Sequence, residues 1–186
     1  MDIVNKVEKL ISGIDEERRS HVEQLINENP GYFTAPTATR SEFGGAYAGA
    51  LANQAVQTCK YLLTLNKSLE ANLPTSSLIL VGLFHQVGKM GINGVELYTP
   101  QESQWHRDRG MMYVVNDDLK TLTIRDRSIR ILTSYIKLTD DEYQAILLSE
   151  GQYSDENRTL RYRECKLALL LHWAGLWALR ADMGEK

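Results

Sequence analysis

Apolar residues recur at helical spacing over most of the chain. In IVNKVEKLI, residues Ile3, Val4, Val7, Leu10 and Ile11 share one helical face. Gly13 ends that helix. Asp15 stands at a capping position before EERRSHVEQLINEN, which stops ahead of Pro30. From Tyr47 to about Asn66, Leu51, Ala55, Cys59, Leu62 and Leu63 again recur at three and four. Pro74 and Thr75 open a helix that is apolar on nearly every side through Phe84, a pattern that belongs in the middle of a fold. Further helices are predicted over RDRSIRILTSYI, over TDDEYQAILLSE and over about Glu164 to Asp182. Thr139 and Glu142 have the spacing of a capping box at the second of these.

Two stretches break the helical pattern. Pro30 to Gly45 reads as a long ordered loop, with Tyr32 and Phe33 as its apolar anchors. GKMGINGVELY is a turn with a short extended piece, and MMYVV, NDD and LKTLTI read as a small hairpin. The expected fold is all-α, a bundle of about six or seven helices with one small β arm near Gly94 to Leu122. The chain shows no repeat, low-complexity tract or linker, so residues 1–186 are read as one domain. Residues 1–29 form its N-terminal helices, 30–46 a loop over the site and 47–182 its core.

Composition narrows the function classes. Hydrophobic residues make up 43% of the 186 and charged residues 24%, enough apolar content for a sizeable core. The net charge of -3 supplies no overall basic field, so nucleic acid is not an expected partner. The longest apolar runs are too short or too interrupted to span a bilayer, and MDIVNKVEKL lacks the apolar run of a signal peptide. Cys59 and Cys165 have no metal-site spacing, and reduced thiols in a cytoplasm are expected. No Walker loop, G-x-S-x-G or H-E-x-x-H occurs.

The order of pieces carries a resemblance. A loop with TAP precedes a helix, then a buried helix ending FHQVGK, a β arm, two helices and a last helix with LALLLHWAGLWA. From roughly Tyr32 to Ala181 this resembles the HD-domain phosphohydrolase family, above all the small HD-domain proteins of tailed phages. The resemblance implies an all-helical bundle around a metal site. Its four ligands are a His, a His-Asp pair at the end of the buried helix and an Asp on a late helix. The metal would activate a water that attacks a phosphate.

Carried over position by position, the first His corresponds to Gln54, the pair to His85 and Gln86, and the late Asp to Gly175. No His occurs between Ser41 and Phe84, and Asp182 lies about two turns beyond Gly175. Only His85 remains of the set. Carboxamides and a glycine supply neither charge nor strong donors, so neither a metal nor any other cofactor is expected, and no catalytic residue is assigned. The resemblance places Lys89, after Gly88, near substrate phosphate. Thr37 and Arg40 in TAPTATR are further anion contacts. The expected ligand site is therefore His85, Lys89, Gln54, Gln86, Thr37 and Arg40, with no carboxylate and a local charge of zero to positive. His85 would add charge as the pH falls toward its ordinary value of about 6.5.

Three functions fit these residues. The first is an inactive HD-fold protein that binds a nucleotide or another phosphorylated small molecule, and so sequesters it. The second is a scaffold for a protein partner. The third is an active phosphohydrolase with other ligands. The residues also have plainer readings. His85 can be a hydrogen-bonded core residue, Lys89 a helix-end cation, and Gln54 and Gln86 partners of each other. Trp105, His106 and Arg107 either stack on a ligand or dock the β arm, while His172, Trp173 and Trp177 fill the core. The arginines of RDRSIR and NRTLRYR form a solvated face.

Overall fold

The computed structural model describes residues 2–151 and 154–183, apart from the side chains of Glu156 and Asp182. Helix α1 (Ile3–Ile11) buries Val7 and Ile11. Helix α2 (Glu16–Glu28) starts after Asp15, whose side chain makes no cap; instead its backbone N–H donates to Ser76 Oγ at 3.3 Å. A 3-10 turn at Pro30–Phe33 follows. Its Tyr32 is buried, packs on Phe84 and donates its hydroxyl to the Leu83 carbonyl at 3.0 Å. That bond ties the long loop to the centre of the molecule.

Helix α3 (Ala50–Ser68) packs on α4 (Thr75–Phe84). Every residue of α4 from Ser76 to Phe84 is buried, as its lack of a polar face requires. A 3-10 turn at Val87–Met90 leads into the β arm. Strand β1 (Tyr98–Pro100), the single-turn helix α5 (Gln104–Arg107) and strand β2 (Tyr113–Val115) form it, with Tyr98 opposite Val115 and Pro100 opposite Tyr113. Helices α6 (Ile124–Thr133), α7 (Asp140–Leu147) and α8 (Lys166–Met183) complete the fold, and α8 lies along α3. The Thr139–Glu142 capping box is present in full. One apolar cluster joins side chains from Val7 to Ala174. No helix among the described residues is long and apolar enough to cross a membrane.

The all-α fold with a small β arm is thus observed, with eight α-helices among the described residues. The one beyond the expected range is α5, too short to show periodicity. The hairpin pairing differs from expectation. MMYVV pairs upstream with LYTP, and LKTLTI does not pair. Asn116 ends β2, donating to the Glu96 carbonyl and accepting from Asp118 N–H. Thr123 is committed as the α6 cap, accepting from Asp126 N–H at 3.1 Å.

Several side chains also sit elsewhere than expected. Trp173 and Trp177 are 49% and 64% exposed, because Leu167, Leu170, Leu171, Ala174 and Ala178 supply the buried face of α8. His172 is half-buried. Trp105, on α5 within the arm, is 57% exposed under the Arg109 guanidinium, 3.6 Å above its ring, while Arg107 donates to the Gln101 carbonyl of the arm at 2.6 Å. Of the arginines in RDRSIR only Arg130 is solvated. Arg125 and Arg127 are buried, and they donate to Asn157 Oδ1 and the Lys120 carbonyl.

Candidate functional site

Four elements enclose a cavity of about 250 Å³. Helix α3 contributes Gln54 and Thr58, one turn apart on the same face. The end of α4 contributes His85 and Gln86, and the next turn Lys89. Ser149 and Glu150 follow α7, and α8 adds His172 and Gly175. Gln54, His85, Gln86, Lys89 and Gly175, far apart in sequence, therefore face one space.

His85 terminates α4, and its Nδ1 lies 3.0 Å from the Val81 carbonyl. A carbonyl accepts only, so Nδ1 carries the proton and Nε2 is left as an acceptor. Burial, helped by the charge of Lys89, pushes the imidazole down to about 4. His85 is then neutral well below pH 6. The expected gain of charge near pH 6 is corrected: the ring offers a hydrogen-bond acceptor, not a cation.

Lys89 carries the positive charge. Gly88 places it, since helix α6 packs directly on that residue. A Cβ on Gly88 would stand 2.7 Å from the Ile124 carbonyl and 2.8 Å from Ser128 N, and Gly88 N–H donates to Ser128 Oγ at 2.9 Å. Lys89 is half-buried, and its ammonium makes no hydrogen bond or ion pair among the described residues. Burial pushes it down to about 8, partly offset by Glu150. At pH 7 it remains charged.

Glu150, exposed at the rim, corrects the expectation of a site free of carboxylates. Lys89 and Glu150 bring the local charge to zero. Nothing in the sequence around Glu150 or Ser149 marks them, because they arrive through packing at the end of α7. Thr58 and His172 had a local signal: each shares a helical face with a named position, Gln54 or Gly175.

Two expected contacts lie outside the cavity. Thr37 is buried, its N–H donating to the Gly45 carbonyl at 2.8 Å and its hydroxyl packed against Gly45 beside the Gln54 amide. Arg40 is exposed and pairs with Glu42 at 3.3 Å. Gln54 and Gln86 both line the cavity, and Gln54 is already engaged by a partner. The Asp182 side chain is outside the described residues.

The cavity wall carries two imidazoles, His85 and His172, two carboxamides, the Glu150 carboxylate at the rim and the Lys89 ammonium, which repels a cation. Among the described residues, no three His, Cys, Asp or Glu side chains converge. A larger cavity of about 530 Å³ lies across His172, but its wall is mainly apolar and holds no cation. No family model, curated protein or solved structure matches this chain.

Proposed function

We propose that the 250 Å³ cavity binds a phosphorylated small molecule of nucleotide type and does not hydrolyse it. The observation that carries this reading is the half-buried ammonium of Lys89, which lines the cavity and makes no hydrogen bond or ion pair among the described residues. A charge-assisted bond from it to a phosphate contributes about 1.5–3 kcal/mol. Gln54, Gln86 and Thr58 can donate to the phosphate, and the His85 acceptor can take a hydroxyl of the ligand. Hydrolysis lacks its means. His85, held to about 4, is too weak a base at neutral pH. The convergence of Gln54, His85, Gln86 and Gly175 supports descent from an HD-type phosphohydrolase that lost its metal set. Binding without turnover amounts to sequestration.

Calorimetry with mono-, di- and cyclic nucleotides tests this against Lys89→Ala. Binding tenfold to a hundredfold weaker in the variant is expected, since about 1.4 kcal/mol is tenfold. If no nucleotide binds wild type below the millimolar range, the reading fails. The scaffold reading then takes its place. Its support is the exposed row Leu169, Trp173, Leu176 and Trp177 on α8, a surface suited to a protein partner.

A further inference from the structure

A second cavity, of about 220 Å³, lies beyond Lys89. Lys89 is the one described residue that lines both. The two cavities differ in chemistry. The first is rich in amides and hydroxyls. The second is lined by the rings of Pro36, Tyr98, Pro100 and Tyr113, with apolar neighbours and the Glu96 carboxylate. Tyr98 and Pro100 alternate with Thr99 along β1, and Tyr113 lies opposite Pro100, so the pleat turns all three toward the cavity. Pro36 and Met90 line the cavity from the long loop and the 3-10 turn.

The arm that carries these rings is anchored. Gln101 N–H donates to the Met112 carbonyl at 2.9 Å, and Met112 N–H to the Thr39 carbonyl at 2.8 Å. Arg127, buried under the arm, exerts its charge on Tyr98, whose phenol burial otherwise raises. The rings are thus positioned rather than free.

We propose that this second cavity seats the planar base of a nucleoside monophosphate whose phosphate Lys89 holds, an inference that rests on the anion role of Lys89 given above. Tyrosine and proline rings and a thioether are surfaces on which a base stacks, and stacking tolerates any base because each has a π-face. Phosphate belongs on the other side of Lys89, where Gln54, Gln86 and Thr58 can donate to it.

Calorimetry with the four ribonucleoside monophosphates and with ribose 5-phosphate tests the base site. In wild type, at least one nucleotide should bind tenfold or more tightly than ribose 5-phosphate. Tyr113→Leu keeps an apolar side chain but no ring; it should remove that margin and leave ribose 5-phosphate unchanged. Tyr113→Phe should keep it. Thermal unfolding confirms that each variant is folded. The inference is overturned if ribose 5-phosphate binds as well as every nucleotide, or if Tyr113→Leu weakens both kinds of ligand equally or neither. Loss of the margin in Tyr113→Phe also overturns it, since the hydroxyl and not the ring would then be the contact. Lys89→Ala separates the two readings. If it leaves all affinities unchanged while the Tyr113→Leu effect persists, the phosphate role fails and the base site stands. If no ligand binds wild type, both fail.

Discussion

A Cβ placed on Gly175 would stand 4.0 Å from Nε2 of His85. That is ordinary van der Waals contact, so Gly175 is not required by space. It lies in the interior of α8, where glycine costs a helix about 0.8–1.0 kcal/mol relative to alanine. Gly175→Ala should therefore raise the melting temperature, by about 2–4 °C per kcal/mol gained in a chain of this size. The same methyl enters the cavity beside the acceptor nitrogen, so nucleotide affinity should fall. Calorimetry and thermal unfolding on one variant check both signs; a variant that is stabilised and binds better contradicts the placement of the ligand.

His85 sets an acid-side dependence. Its imidazole titrates at about 4 in the folded chain and near 6.5 when unfolded. Between those values the unfolded chain holds the extra proton. Stability is therefore intact above about pH 6.5 and declines as the pH drops through about 4. In His85→Gln that part of the decline should vanish. Urea unfolding across the window measures it.

Lys89 acts at the other end, with opposite signs for binding and stability. Anion binding needs the ammonium, so affinity should be highest below about pH 8 and fall as the pH rises through it. In the ligand-free protein, the cost of burying the charge is relieved over the same rise. The unfolded chain keeps its proton up to an ordinary value near 10.4, so the contribution of Lys89 to stability grows from about pH 8 upward. Lys89→Met should abolish both trends, as calorimetry and unfolding from pH 7 to about 10 would show.

Arg18 holds a buried charge. Its guanidinium donates to both oxygens of Glu142, each at 2.8 Å, and the Glu142 side chain is fully buried. Burial raises the carboxyl, but bonds from Arg18, Thr139 N–H and Ser77 outweigh it and hold Glu142 below its usual range. Arg18→Ala should cost about 3–5 kcal/mol in denaturant unfolding, because it strands the carboxylate. The loss should shrink as acid protonates Glu142.

Gly88→Ala should destabilise by about 1–3 kcal/mol, the usual cost of overpacking. The new methyl meets the backbone of α6, not a movable side chain. Affinity should drop as well, because the shift carries Lys89 with it. A variant with unchanged stability and affinity would show that the turn gives way freely.

Legibility followed the strength of local signals. The apolar run of α4 could only be central, and the Thr139–Glu142 box announced α7 through bonds within four residues. The β arm was half legible. Strand β2 has the composition of a strand, but its partner is chosen by the Asn116 and Thr123 side chains, which alternation does not reveal. Helix α8 misled because it is apolar on both faces, and only packing against α3 decides which face is buried. In the site, the positions on α3, α4 and α8 were marked by the order of segments. Glu150 was not, since a carboxylate after a helix looks like any solvated residue until the fold brings Lys89 toward it.

The exposed indoles of α8 and the β arm have a spectroscopic consequence. Trp105, Trp173 and Trp177 are the three tryptophans of the chain, and all are about half exposed or more in the folded state. Their emission is already that of water-contacted indole, so unfolding should shift its maximum little. Trp105, with a guanidinium stacked on its ring beside the arm, is the exception. Its emission intensity should respond to any change that separates the Arg109 guanidinium from the ring while the core stays intact.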